Sequence, residues 1–334
     1  MPAFRSLLGG SRRRRERVVP ATPTGTSRHG HFFENAGHRA SVVRCISEGV
    51  LPLRYAYAGS AAYAHDRLAR SNGYRSVVGW AELVVRATEC DGMAAAALSR
   101  MVDIGPGNGV RTVVLLRALA DHGPRGRSYL GLDFSATLLG MACDRIRDSL
   151  GGTVSLQSGV WDLEAGRSAR IDRWRCGLGR DGPVVAFMLG HTLGNVDSAE
   201  QVLGHVHGSL RPGDTLVAGV TLQPPDADHS AMLEPYRTDA FVKAALEPLR
   251  AVGVALDDIE FGVRFTDGAV VGEAVFRRKV RLGFSTVQAG HVLRCFRSRR
   301  FAMSDVMSML ERTGFRTRAV IVDERREQAV VIAG

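Results

Sequence analysis

Met101-Val102-Asp103-Ile104-Gly105-Pro106-Gly107-Asn108-Gly109 is the stretch on which the fold turns. An apolar run, Ala94 to Leu98, leads into it. A helix-like run, Val110 to Ala120, leaves it, with Val113, Leu116 and Ala120 spaced for one buried face. The order is strand, glycine turn, helix. Glycines let the backbone turn tightly and approach a ligand closely, and a helix start offers N–H groups with no partner inside the helix. Such turns serve nicotinamide, flavin, nucleotide and S-adenosylmethionine (SAM) proteins. Here Gly105, Gly107 and Gly109 are followed by Val110, so the sixth-position glycine of the dinucleotide fingerprint is absent. No Gly-Lys-Ser/Thr follows, which argues against a phosphate-gripping P-loop. Asp103, directly before the turn, suits a cationic ligand end such as an amino group. Together these features favour SAM over a dinucleotide.

Outward from the turn, strands and helices alternate. Strands are expected at Leu98–Ile104, Ser128–Leu132, Val154–Gln157, Val184–Leu189 and Thr215–Val220. Between them helices are expected at Arg111–Ala120, Ala136–Leu150 with Ser135 as N-cap, and Ser198–Leu210. This pattern predicts an α/β fold, a parallel sheet covered on both faces. The alternation breaks at Thr221, where a helix over Ala231–Leu249 and strands around Phe261–Phe265, Val270–Leu282 and His291–Phe296 read as an insertion. A helix, Ser304–Thr313, and two closing strands, Arg316–Val322 and Gln328–Ile332, return to the sheet. Ahead of the core, His31 to Asp91 reads as a helical cap with Tyr55, Tyr57, Tyr63 and Tyr74, and residues 1–30 read as a basic, solvated tail. The expected division is a tail (1–30), an N-terminal helical cap (31–92), a core (93–220 and 299–334) and an insertion (221–298).

Composition narrows the class. Apolar residues make up 45% of the 334 and charged residues 23%, enough for a sizeable core and with no run long enough to span a membrane. The five cysteines form no CxxC pair, so neither a zinc site nor a disulfide framework is indicated, and a reducing cytoplasm fits. The net charge of +10 sits largely in Arg12–Arg17, Arg277–Arg281 and Arg297–Arg300, without aromatic-interleaved RNA motifs, so nucleic acid is not the expected partner. A small-molecule substrate is, acting on a monomer or homodimer.

The candidate site residues lie at strand ends. Asp133 closes the second strand beside the glycine turn, where a carboxylate can accept from both ribose hydroxyls, with Phe134 next to it. Asp162 follows the third strand, where an adenine amino group would lie, and Trp161 beside it offers a ring to pack on. The fourth strand ends in Gly190-His191-Thr192-Leu193-Gly194-Asn195. Asn195 can donate and accept, which suits an amino acid's head group, and His191 is a candidate base.

At this point a resemblance emerges. From about Leu51 onward the chain resembles the histidine-specific, SAM-dependent Nα-methyltransferases of ergothioneine biosynthesis. It does so through Val102–Gly109, Gly131–Ser135, Phe187–Asp197, Leu210–Asp214, Leu293–Phe301 and Arg312–Phe315. The Gly190–Asn195 loop is the most specific piece. The resemblance implies a class I SAM-methyltransferase core, Rossmann-like and doubly wound. An α+β substrate-binding insertion and the N-terminal cap would build the acceptor site. It also implies SAM held by Asp103, Gly105, Gly107, Asp133, Phe134, Trp161 and Asp162, and a substrate head group held by Asn195 and tyrosines. Tyr57 is the best counterpart; Tyr74 and Tyr236 match less well. In the family a Glu two residues before a Ser reads the imidazole. Here Ser298 and Phe301 align, but the Glu position is Phe296. A site discriminates strongly through hydrogen bonds only while it holds the polar partner, so histidine is not the expected substrate.

The expected activity is N-methylation of an amino acid or related small amine in natural product biosynthesis. Two alternatives stay open. SAM could be the only substrate, its aminocarboxypropyl arm cyclising to azetidine-2-carboxylate or passing to another acceptor. Alternatively, the chain could bind SAM without turnover.

Overall fold

The computed structural model describes residues 33–70, 80–93, 98–120, 126–179, 182–223, 228–283 and 285–334. Tyr74, the tail to residue 32 and the run Ala94–Ala97 lie outside the described residues.

Ahead of the first strand the described residues form α1 (Ala36–Glu48), α2 (Leu53–Ala56), α3 (Ser60–Ala69) and α4 (Trp80–Cys90), the last of which packs through Trp80, Leu83 and Val84 into an apolar layer of the main sheet. Asn35 starts α1 by accepting from the His38 N–H, and Gly49 ends it at φ 81°. The alternating core follows as β1 (Arg100–Ile104), α5 (Val110–Ala120), β2 (Arg127–Asp133), α6 (Ala136–Leu150), β3 (Val154–Val160) and α7 (Arg170–Gly177). It continues through β4 (Val185–Met188), α8 (Thr192–Asn195), α9 (Ala199–His207) and β5 (Thr215–Thr221). Ser135 caps α6 by accepting from the Leu138 N–H at 3.2 Å, as expected. The expected helix over Ser198–Leu210 is shorter at both ends, because Ser198 is its N-cap and Gly208 its C-cap.

After β5 come α10 (His229–Arg237), α11 (Asp239–Ala245) and α12 (Glu247–Val252), in the stretch expected to be an insertion. The strands β6 (Ile259–Thr266), β7 (Ala269–Phe276), β8 (Val280–Leu282), β9 (Ser285–Val287) and β10 (Val292–Arg299) follow. The single helix expected over Ala231–Leu249 is three. Pro235 cannot donate to the ladder of α10, Thr238 accepts from the Phe241 N–H to start α11, and Pro248 sits in the first turn of α12. The strand expected over Val270–Leu282 is two, β7 and β8, and β8 turns back onto β9. The chain closes with α13 (Met303–Arg312), β11 (Thr317–Val322) and β12 (Gln328–Ala333).

Among the described residues, seven strands form one sheet in the order β11-β12-β5-β4-β1-β2-β3. The pairs from β5 to β3 are parallel, and β12 is antiparallel to both β5 and β11. Chain order reverses at β1, which pairs with β2 on one side and β4 on the other. A ligand crevice opens beyond the carboxyl ends of strands at such a reversal. One apolar layer joins Trp161, Ile171 and Leu203 to Phe301 and Leu310, and the other joins Trp80, Leu116 and Tyr129 to Val330. The second sheet, β10-β7-β6, is antiparallel. It shares a core with α1 and α12 through Val42, Ile46, Leu249, Phe276 and Leu293.

Candidate functional site

The crevice floor is built from the ends of β1 and β2. Asp103 is buried; Thr112 Oγ1 donates to its Oδ2 at 2.6 Å and the Tyr129 hydroxyl donates at 2.9 Å. Burial nevertheless pushes its pKa up to about 6. Asp133 is buried as well. Its Oδ2 accepts the Gly107 N–H at 3.1 Å and its Oδ1 the Ser135 N–H at 3.0 Å. Here too burial outweighs the donors and raises the pKa to about 6. The turn therefore closes onto the carboxylate that ends the next strand. Gly109 adopts φ 78°, and a Cβ there would fall 2.6 Å from the Ala142 Cα, so only glycine lets α5 and α6 approach this closely.

Above this floor is a cavity of about 310 Å³. Tyr57, Asp103, Gly105, Gly107, Asp133, Phe134, His191 and Asn195 all line it. Asn195 ends the one-turn α8, an element that Gly194 within it and its brevity hid from sequence reasoning. His191 Nδ1 lies 3.0 Å from Thr221 Oγ1 at the end of β5. Burial, together with the charges of Arg300 and Arg111, holds its pKa well below the ordinary value, so the ring is neutral.

The roof is α3. His65 lines the cavity with its ring edge against Tyr57, centroids 4.5 Å apart, and Tyr57 reaches Phe134 at 6.1 Å. Burial, and then the Arg111 charge, lower the His65 pKa to about 4. Its neighbour Asp66 fixes the roof to the floor. It accepts from Asn108 Nδ2 of the glycine turn at 2.9 Å and pairs with Arg145 of α6 at 2.6 Å and Arg70 at 2.8 Å.

His65, Arg111 and Thr192 line the cavity without having been picked out from the sequence. Arg111 had a signal. In the first turn of a helix a side chain leans toward the N-terminus, here toward the glycine turn. Its guanidinium lies over Gly190, where a Cβ would collide with it. His65 had none, since its place depends on how α3 docks.

Other expected residues lie elsewhere. Trp161 is in the core at 6% exposure, its Nε1 donating to the Gly166 carbonyl at 2.8 Å, and it does not line the cavity. The reason is that its ring completes the apolar layer under β3. Asp162 pairs with Arg54 of α2 at 3.0 Å and lines a separate shallow recess. Tyr236, Phe296 and Ser298 come together, but within the insertion. The Tyr236 hydroxyl donates to Ser298 Oγ at 2.9 Å, and the Tyr236 and Phe296 rings stack with centroids 5.5 Å apart. None of the three lines the cavity.

Comparison with known protein families identifies the family to which the chain belongs. The profile described as "Histidine-specific methyltransferase, SAM-dependent" matches residues 80–334. A histidine N-alpha-methyltransferase of Mycobacterium tuberculosis (strain CDC 1551 / Oshkosh) is 27% identical over 200 residues, 58% of this chain and 59% of that protein. Among solved structures, the CcbJ methyltransferase of Streptomyces caelestis is 16% identical with a TM-score of 0.38, covering 77% of this chain and 88% of that one. SAM-bound CalS10, an amino pentose methyltransferase from Micromonospora echinaspora, is 14% identical with a TM-score of 0.37, covering 81% and 94%. The fold is the class I, Rossmann-like SAM-methyltransferase fold, and with more than half its length matched, the chain belongs to the histidine-specific, SAM-dependent methyltransferase family.

Proposed function

We propose that this enzyme N-methylates an amino acid or related small amine other than histidine, in specialised metabolism in the cytoplasm. The observation carrying this reading is the cavity onto which Asp133, the glycine turn and Asn195 converge, while the resemblance sets Phe296 where the family has an imidazole-reading acid. The residues present fit SAM. Asp133 holds a carboxylate toward the crevice beside Gly107, placed to accept from ribose hydroxyls. Asp103 and the Arg111 guanidinium, one acidic and one basic, suit the ammonium and carboxylate of a methionine end. When bound, SAM supplies an electrophilic sulfonium methyl. Asn195 and Tyr57 orient the acceptor amine with its lone pair toward that methyl, and alignment of this kind can supply about 7–11 kcal/mol of the barrier. His191, held neutral, can accept a proton through the nitrogen not engaged with Thr221.

A second reading is favoured by a specific observation. Tyr236, Phe296 and Ser298, expected to read an acceptor, bond with one another and line no part of the cavity. If SAM is the only occupant, its own arm is the reacting group. Incubation with SAM alone and then with pooled amino acids, with the nucleoside product identified by mass, separates the two. S-adenosylhomocysteine that appears only with an added amino acid supports methyl transfer. Methylthioadenosine from SAM alone supports arm chemistry and sinks the first reading.

A further inference from the structure

Two carboxylates grip the glycine turn. Asp133, which lines the cavity, takes the Gly107 N–H. Asp66 of α3, which does not line it, takes the next residue: Asn108 Nδ2 donates to Asp66 Oδ1 at 2.9 Å. The other end of the same amide is engaged too. Asn108 Oδ1 accepts the Val110 N–H at 3.2 Å, one of the groups that the first turn of α5 leaves without a helical partner. An amide donates through one end and accepts through the other. The carboxylate therefore decides which way Asn108 faces, and Asn108 decides how α5 leaves the turn. Arg145 of α6 completes the arrangement, donating through Nη2 to Asp66 Oδ1 at 2.6 Å and through Nη1 to the Asn108 carbonyl. Asp66 and Asn108 are both buried. Burial pushes the Asp66 carboxyl up, but donation from Arg145 and then Asn108 outweighs it and holds the pKa below the ordinary value, so the group stays ionised.

Although Asp66 is not cavity wall, its partners and neighbours are: Asn108 on the turn, and His65, Ala69 and Arg70 around it on the roof. A turn already in its bound shape has no ordering cost to meet when a ligand arrives. We propose that Asp66 is a positioning residue for SAM, acting through Asn108. It orients the amide that shapes the turn and ties α3 to that turn, and so strengthens cofactor binding without touching the cofactor. This rests on SAM as the ligand of the cavity and holds whether the methyl group or the arm is transferred.

The test is calorimetric titration of the full chain with S-adenosylhomocysteine, with a melting curve for each variant. Asp66→Ala should weaken binding on the order of tenfold, the scale of one lost hydrogen bond to a charged group, and so should Asn108→Ala. The double variant should bind no more weakly than the weaker single one, since both remove the same contact. Asp66→Asn keeps an oxygen that accepts from Asn108, so it should bind closer to the wild type than Asp66→Ala does, although it loses the Arg145 and Arg70 ion pairs and melts lower. Lower melting with unaltered affinity in Asp66→Ala would reduce Asp66 to a prop of the fold and overturn the proposal. Losses that multiply in the double variant, or an Asp66→Asn protein as weak as Asp66→Ala, would overturn the route through Asn108. Should Asp66→Ala fail to fold, Asn108→Asp decides. It sets two carboxylates against each other and should weaken binding, and adding Asp66→Asn, which restores a donor facing an acceptor, should recover most of the loss. A pair that binds no better than Asn108→Asp alone sinks the proposal. Failure of the wild-type protein to bind S-adenosylhomocysteine is a different result, since it removes the SAM-dependent reading itself.

Discussion

The two corners that meet at Asn195 are built on opposite principles. In the glycine-turn corner the buried carboxylates are supplied with donors from the chain itself. Asp133 takes two backbone N–H groups, and Asp103 takes a threonine and a tyrosine hydroxyl. In the other corner the half-buried Arg300 donates to the Tyr236 hydroxyl, and among the described residues no acid pairs with it. Where the chain supplies the partners, the buried charge is held in place by the fold itself. Where it leaves one out, the charge rests on a single neutral partner.

That contrast can be broken at its hinge first. Replacing Asn195 by Ala should lower kcat/KM on the order of a hundredfold or more, because the acceptor loses its alignment. SAM affinity, read separately by calorimetry, should change little. A large loss of SAM affinity would place Asn195 in the cofactor corner instead. Next in size is Asp133→Ala. Hydrogen bonds to a charged group contribute about 1.5–3 kcal/mol each. Loss of the carboxylate should therefore weaken SAM binding by about a hundredfold, and unaltered affinity would sink the cofactor assignment.

A smaller effect follows from pH. Asp103 and Asp133 have pKa values raised to about 6 by burial, so both begin to take up protons as pH falls below neutrality. A cationic ligand favours their ionised forms. SAM affinity should therefore rise with pH through about 6 and level off above about 7, by roughly tenfold in all. Asp133→Asn should flatten part of that rise, whereas a profile with no slope across this range would show that neither acid faces the ligand's charge. The smallest expected effect is at Arg54. Its pair with Asp162 is partly exposed, 46% and 26% for the two side chains. Arg54→Ala should cost less than about 1 kcal/mol in denaturant unfolding. It should leave SAM affinity unchanged if Asp162 serves only as Arg54's partner. Tighter SAM binding in that variant would return Asp162 to the adenine.

Most of the core was legible in the sequence because its signals are local. Ala136–Leu150 carries its own cap in Ser135, and β2 announces itself by an apolar run ending in an acid. Asp103, Asp133, His191 and Asn195 could be placed because strand ends in a doubly wound sheet face one side. The rest depended on docking. The three helices from His229 to Val252 keep an apolar pattern across their breaks, and only Pro235, Thr238 and Pro248 divide them. The sequence puts Trp161 in the site because Asp162 beside it follows the third strand, where an adenine would lie and the indole could pack on it. In fact its neighbours Leu163 and Trp174 bury it. His65 reaches the cavity through the Asp66 clamp, which ties together residues far apart in the chain.

The position of β12 bears on how the molecule is assembled. Gln328–Ala333 does not join the sheet at its margin; it enters between β5 and β11, with Ala329 to Ala333 almost wholly buried. During synthesis β5 and β11 both emerge before the strand that separates them. Until it arrives, each presents an open row of backbone donors and acceptors, the surface that invites pairing with another chain. The sheet is thus completed from within and late, through contacts distant in sequence, which slows folding. A chain cut before Gln328 should be recovered as aggregate, not as a smaller folded protein.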